Sequence, residues 1–427
     1  MIPTPQLDGD HLWASLEKIS AFGATPAGGL HRLAASAEDG AARDYLVAEA
    51  KALGCSVRVD ALGNTFVRRA GSAADAPAIL IGSHLDSQPM AGKYDGTYGV
   101  VAGLEVLRTL EEGDIATAHP VEVVCWTNEE GARFAPAMMG SAFFAGRFTA
   151  EELLECRDTD GARLGESLAS IGYAGTDLVS SAEHHCYLEL HIEQGPLQQD
   201  EGLPIGVVTA VQGMAWFHIA LRGQAGHSGT YPMERRRDAM ASAAQLVTRV
   251  QAIGLQHPFV GRATVGRLDV TPSSPNVIPG RVELMVEFRH PEAPGLATMC
   301  AELAAACIDL EASTGVEITL EQVLDSPTVR FNAHLADTVE TAAQKSSLTS
   351  RRMISGAGHD ACQVAPRMPT AMIFIPCEQG ISHAEDEAIT PEWAHAGAQV
   401  LLQATLLADE TMFSSDESPT HREIVGK

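Results

Sequence analysis

The sequence contains no C-x-x-C pair, no G-x-S-x-G turn, no concentrated basic face and no uninterrupted apolar run of the roughly 18 residues that a membrane span needs. Each absence excludes something. Eight cysteines scattered at positions 55, 125, 156, 186, 300, 307, 362 and 377 suit a reducing cytoplasm better than a disulfide framework. Lys and Arg total 29 against 55 Asp and Glu, a net charge of −26. The tightest basic run, Arg235–Arg237, is flanked by Glu234 and Asp238, so neither nucleic acid nor an anionic membrane is an expected partner. The start, MIPTPQLDGDHLW, lacks the basic residues and apolar stretch of a signal peptide. Without the serine elbow, a nucleophilic serine hydrolase is not indicated. What is present is a 427-residue chain, 45% hydrophobic, long enough for two cores. The expectation is an acidic, soluble, cytoplasmic protein of two domains.

Strand-like and helical stretches alternate through the first third. Ala41–Leu53 and Val100–Thr109 have helical spacing; Cys55–Val59, Asn64–Arg69, Ala78–Gly82, Pro120–Trp126 and Tyr187–Leu190 read as strands, and Thr370–Ile375 repeats the pattern late in the chain. Compact apolar runs such as AILIG are typical of buried parallel strands, so the main fold is expected to be a mostly parallel sheet covered by helices. Residues 212–328 read differently. Strand Trp216–Arg222, helix Arg235–Ile253, strands Ala263–Val270 and Arg281–Arg289, helix Leu296–Ser313 and strand Val316–Val323 follow the β-α-β-β-α-β order of a ferredoxin-like unit. The expected domains are therefore a discontinuous one, 1–211 with 329–427, and an inserted one, 212–328. The polar tail SSDESPTHREIVGK is expected to fray.

The chemistry-bearing residues stand at strand ends. His84 follows AILIG, and Asp86, two residues on, is placed to hydrogen-bond its imidazole. Asp95 lies in a glycine-rich loop that can present a carboxylate to a metal. Glu129 and Glu130 leave the next strand in different directions among apolar neighbours, where two charges need a cation. His191 and His383 follow two further strands. Any one of these alone reads as a solvated pair, a turn former or a structural histidine. Their coincidence at four strand ends is the signal, since open α/β sheets bind ligands beyond the carboxyl ends of their strands. Five such ligands exceed one tetrahedral zinc and suit two ions with one carboxylate bridging.

The stretches GSHLDSQPMAGKYDGTYGVVAG, TNEEGARF, LHIEQGP, GHSGTYPMERRRDA, SSPNVIPG, EFRHPE, GAGHDA and ISHAEDE together resemble the dinuclear-zinc amidase/carboxypeptidase superfamily. Within it they look most like the hydantoinase/carbamoylase amidohydrolases, which act on N-carbamoyl-L-amino acids, allantoate, ureidoglycolate or β-ureidopropionate. The resemblance implies a zinc-peptidase-like fold with an inserted lid and dimerisation domain, hence a homodimer in which a lid histidine can come from the partner. It implies one metal on His84, Asp95 and His191, a second on Asp95, Glu130 and His383, and Asp86 orienting His84. Glu129 becomes the general base. Gln194, His227, Asn276, Arg289 and Gly358 surround the substrate, His227 acting also on the reacting carbonyl. Peptidase members usually carry Asp at the position of His191, so His191 favours ureido substrates.

The expected reaction is hydrolysis of the terminal ureido C–N bond of an N-carbamoyl-L-amino acid, releasing ammonia, carbon dioxide and the amino acid. Two divalent ions are required; His and carboxylate ligands suit zinc, and also manganese, cobalt or nickel. Arg289 offers a planar fork for a substrate carboxylate, against a surface pair with Glu287 or Glu292. Ala215, at a position where relatives carry a polar residue, suggests a substrate with a bulkier or apolar side chain. Allantoate, ureidoglycolate and β-ureidopropionate are the alternatives, followed by a dinuclear-zinc peptidase and a binding protein on an inherited scaffold. His359 and Asp360 adjoin this set without an assigned role.

Overall fold

The structure, a computed structural model, describes residues 5–73, 75–258 and 260–411. The tail expected to fray lies outside the described residues, as does the MIPT start. The strands in chain order are β1 (Ser56–Val59), β2 (Thr65–Arg69), β3 (Ala78–His84), β4 (Val121–Trp126), β5 (His184–Ile192), β6 (Ile205–Val211), β7 (Gly213–Arg222), β8 (Gly226–His227), β9 (Arg262–Thr271), β10 (Val277–Ile278), β11 (Arg281–His290), β12 (Glu317–Ser326), β13 (Val329–Arg330), β14 (Ser350–Ser355) and β15 (Thr370–Ile375). The chain divides into two compact units, Met1–Thr209 with Arg330–Lys427, and Ala210–Val329.

In the first unit a nine-stranded sheet runs β1-β2-β4-β3-β5-β15-β6-β13, with β14 also on β6. The centre, β4-β3-β5-β15, is parallel. The flanks, β1 on β2, β2 on β4 and β6 on β15, are antiparallel. Every residue of β3, β4 and β15 is buried, as strands covered on both faces require. Helix Thr97–Glu112 packs on β3, β4 and β5, and helix Pro391–Asp409 on β15 and β5. Their apolar residues join Ile79, Ile81, Val123, Leu188, Leu190 and Ile373 in one core. Each fully buried aliphatic side chain contributes about 1.5–3 kcal/mol. The chain passes from β3 to β4 on one side while β5 pairs on the other, so the connections reverse between β3 and β5, where such sheets open a crevice at their carboxyl ends.

The second unit contains a four-stranded antiparallel sheet in the order β12-β7-β11-β9. Helices Ala239–Gln256 and Ala293–Thr314 pack on it, completing the β-α-β-β-α-β arrangement. The expected helix from Arg235 begins only at Ala239, because the Asp238 carboxylate accepts the Met240 and Ala241 N–H groups at 3.0 and 3.1 Å and caps it there. Ala293–Thr314 is, among the described residues, the one helix long and apolar enough to cross a membrane. Its Leu296, Met299, Leu303, Ala306, Cys307 and Leu310 form the stripe buried in this unit's core. Ala215, read above toward the substrate, is buried in the same core, where its small side chain packs among apolar neighbours.

Candidate active site

Four parallel strands place the cluster. His84 is the last residue of β3, in register with Trp126 at the end of β4, from which the chain turns into Thr127–Glu130. His191 lies within β5, one residue earlier than a strand-end reading implies, paired in register with Phe374 of β15. Asp95 precedes the helix that starts at Thr97, and His383 follows β15 in a loop.

Two groups of potential metal ligands share one carboxylate: His84, Asp95 and His191 on one side, Asp95, Glu130 and His383 on the other. Asp95 Oδ1 lies 3.0 Å from His191 Nε2 and 3.6 Å from His84 Nε2. Its Oδ2 lies 3.2 Å from His383 Nε2, which is 3.5 Å from Glu130 Oε2. The first group is wholly buried, whereas the His383 side chain is 49% exposed.

The imidazoles are set in the tautomer that a metal needs. His84 Nδ1 donates to the Asp86 carbonyl at 2.9 Å and His191 Nδ1 to the Ile192 carbonyl at 2.9 Å, so both Nε2 lone pairs face inward. His84 Nε2 is buried with no hydrogen-bond partner, and burying such an atom is costly unless something binds it. The residues fit a pair of divalent cations. The close fit also explains Gly96: it has φ +61°, and a Cβ there would stand 2.3 Å from the His84 ring.

Asp86 acts differently from the sequence expectation. Its backbone carbonyl, not its carboxylate, holds His84, because Oδ1 and Oδ2 accept the Glu129 and Glu130 N–H groups, each at 3.2 Å. One buried residue therefore fixes the His84 imidazole and the backbone of both glutamates.

Glu129 is 8% exposed, and its Oε2 lies 3.6 Å from His84 Nε2. Burial pushes its carboxyl well above the usual range, reinforced by Asp360, Glu130 and Asp95 and opposed by His84. Burial and the Asp95 charge move Glu130 to about 7. For Asp95 burial works against the charge, but His191, His383 and His84 outweigh it and hold the carboxyl well below its ordinary value.

Gln194 reaches the cluster: its Nε2 donates to Asp95 Oδ2 at 2.7 Å. Asn128, Gln194 and His383 adopt left-handed backbone conformations at φ 54–56°, the kind of local strain that collects at functional sites. His359 packs edge-on against His191 with centroids 4.5 Å apart, its Nε2 3.1 Å from Ser355 Oγ; burial and His191 keep it well below its ordinary pKa, hence neutral. Ser141 donates to the buried Asp360, joining the short helices Met139–Phe144 and Asp360–Val364. Gly358 is exposed, and a Cβ there would meet Met138 only at ordinary contact distance.

The other three expected substrate residues belong to the second unit. Strands β8 and β10 pair His227 with Val277, next to Asn276, and Ser228 Oγ donates to Asn276 Oδ1 at 2.7 Å. His227 is exposed, its Nδ1 accepting the Gly229 N–H at 3.0 Å. Arg289 donates from Nε to Glu287, the surface pair weighed above. Sequence reasoning missed Gln88, whose Nε2 donates to Glu130 Oε2 at 2.9 Å, and Ser382 and Glu387 beside Asp95. Gln88 and Ser382 carry no charge signal, and Glu387 sits in an acidic run that reads as solvated.

Comparison with known proteins agrees with this geometry. The model of peptidase family M20/M25/M40 matches residues 80–406. An N-carbamoyl-L-amino-acid amidohydrolase of Rhizobium meliloti is 40% identical over 94% of this chain and 96% of its own length. A ureidoglycolate hydrolase of Oryza sativa subsp. japonica is 32% identical over 93% of this chain and 84% of its own. The crystal structure of an amidase of the hydantoinase/carbamoylase family from Burkholderia multivorans superposes with a TM-score of 0.91 at 50% identity, covering 95% of this chain and 99% of the other. Motif order, fold and full-length identity converge, and the chain belongs to peptidase family M20/M25/M40.

Proposed function

We propose that the protein is a metal-dependent amidohydrolase that cleaves the terminal ureido C–N bond of an N-carbamoyl-L-amino acid, yielding ammonia, carbon dioxide and the amino acid. The observation that carries the reading is the single carboxylate, Asp95, facing one ligand group with each oxygen, next to a buried Glu129. His84, Asp95 and His191 would hold one cation and Asp95, Glu130 and His383 the other. When bound, the two cations supply Lewis-acid polarisation of the scissile carbonyl and acidification of water. Zinc is the metal we assign, with manganese, cobalt and nickel compatible with the same donors.

Glu129 takes a proton from the attacking water and passes it to the departing nitrogen. Burial shifts its carboxyl upward, toward the proton-carrying form that the second half of the transfer needs. Asp86 keeps Glu129 and Glu130 in place through their N–H groups. His227 and Asn276, side by side on the second unit, donate to the carbonyl oxygen as it gains charge. Arg289 receives the substrate carboxylate, while Gln194 and Gly358 border the ureido group. The inserted unit would then serve as lid and as the dimerisation surface. Eight cysteines, all free, support a cytoplasmic setting.

Ureidoglycolate and allantoate are the second reading, supported by the similarity to the rice ureidoglycolate hydrolase. The test is ammonia release by the metal-loaded protein on N-carbamoyl-L-amino acids, allantoate, ureidoglycolate and β-ureidopropionate, beside a dipeptide panel and an EDTA-stripped control. Chelator-sensitive release from a carbamoyl amino acid is the expected result. Silence on all four with dipeptide cleavage would move the protein to the peptidase branch.

A further inference from the structure

Of the three acids in the run Glu385-Asp386-Glu387, only Glu387 is buried, at 2% exposure. Both of its oxygens are engaged. Oε1 accepts the Tyr94 and Asp95 N–H groups at 3.0 and 3.1 Å, and Oε2 accepts the Ser382 hydroxyl at 2.8 Å. The loop before Asp95 lies directly on this carboxyl: a Cβ at Gly92 would stand 2.1 Å from Glu387 Cδ, so only glycine fits there. One side chain thus ties the backbone of the shared carboxylate to the residue preceding His383.

The same contacts decide where the Ser382 proton goes. Ser382 Oγ lies 3.3 Å from Asp95 Oδ2 but 2.8 Å from Glu387 Oε2, and a hydroxyl has one hydrogen to donate. Glu387 draws that hydrogen away from Asp95 Oδ2, the oxygen that faces His383 and Glu130. Gln194 Nε2 in turn donates to Ser382 Oγ at 3.1 Å, which holds the hydroxyl in that orientation. Asp95 Oδ2 already accepts the Gln194 Nε2 N–H at 2.7 Å, so without Glu387 Ser382 would donate to its remaining lone pair, the one a cation needs, and the Tyr94 and Asp95 N–H groups would be left buried without acceptors.

We propose that Glu387 is a positioning residue for the second cation: it clasps the Asp95 loop to the His383 loop and keeps Asp95 Oδ2 open on the Glu130–His383 side. The inference rests on the two-cation reading above. Glu387 does not touch the substrate and acts only through Asp95, Ser382 and His383.

The test compares the full chain with Glu387→Ala, Glu387→Gln and Ser382→Ala, each dialysed against the same buffered free zinc and analysed for zinc per chain. The wild type is expected to hold two ions. Glu387→Ala is expected to retain one, the affinity for the other falling about 10- to 100-fold, as loss of a residue that orients metal ligands typically causes. Its kcat should fall with that occupancy and recover at high zinc, while KM moves little; a merely structural defect would not be restored by metal. Glu387→Gln keeps an acceptor for the two N–H groups and should weaken the second ion by less. Ser382→Ala removes the competing hydroxyl and should hold both ions. Should the alanine variant not fold, the zinc titration of Glu387→Gln decides. Two ions at wild-type affinity in both Glu387 variants would overturn the role of Glu387 alone. A wild type that binds no zinc would overturn the two-cation reading and this inference with it.

Discussion

The two units place their proposed functional residues in opposite ways. In the first, His84, Asp95, Glu129 and His191 are buried beyond or near the ends of parallel strands, and backbone carbonyls hold the Nδ1 of both histidines. In the second, His227 is exposed on a two-residue strand and Arg289 is paired at the surface with Glu287. The difference separates two tasks. Charged ligands brought together before any cation arrives must be held by the fold, because their mutual repulsion and desolvation would otherwise scatter them. Groups proposed to meet a substrate can remain solvated until it arrives, and so leave the stability of their unit independent of their chemistry.

The comparison can be broken most directly at the buried cluster. Stripping the metal with a chelator should abolish turnover and lower the melting temperature, since cations bound only by the folded state stabilise it; zinc re-addition should restore both. Glu129→Gln should keep the metal yet lose about 10²–10⁴-fold in kcat, the range of a general base, as measured by ammonia release beside elemental analysis. Retained turnover with bound metal would remove Glu129 from the mechanism. His227→Ala should lose about 10²–10³-fold in kcat, the typical weight of an oxyanion donor, with an unchanged melting temperature because the side chain is exposed.

Two smaller effects sharpen the contrast. Asp86→Asn would turn an amide donor toward one of the two N–H groups of Glu129 and Glu130; a loss of about 1–3 kcal/mol in urea unfolding, together with reduced turnover, is expected. Arg289→Lys should leave stability and kcat near wild type and raise KM about tenfold, the equivalent of roughly 1.4 kcal/mol lost from a bidentate contact. A variant of the second unit that unfolds the protein, or one of the first that changes KM alone, would contradict the division of labour.

Much of this was legible in the chain. Strands β3, β4 and β15 announce themselves as short apolar runs, and His84, Glu129, Glu130 and His383 follow such runs. The inserted unit shows its β-α-β-β-α-β order because each of its elements has a clear period. Less legible were contacts between residues far apart in sequence. Glu387 reads as one acid among three; only its N–H partners at Tyr94 and Asp95, nearly three hundred positions away, reveal a buried role. Asp86 is read correctly as a neighbour of His84 but not as the acceptor for Glu129 and Glu130, since a two-residue spacing says nothing about which oxygen points where. Ala215 was read toward the substrate because sequence does not tell which face of a strand meets the core.

By itself the sequence determined the types of donor available, their positions after strands, the acidic surface and the alternation that selects a parallel sheet, because periodicity and composition act locally. Only the tertiary structure decided that one carboxylate stands between two ligand groups, that two imidazoles turn Nε2 inward, and that Gly92 and Gly96 must lack side chains. Those outcomes depend on distances between β3, β4, β5 and β15 after the strands have paired, and pairing is set by the packing of the whole sheet and its helices.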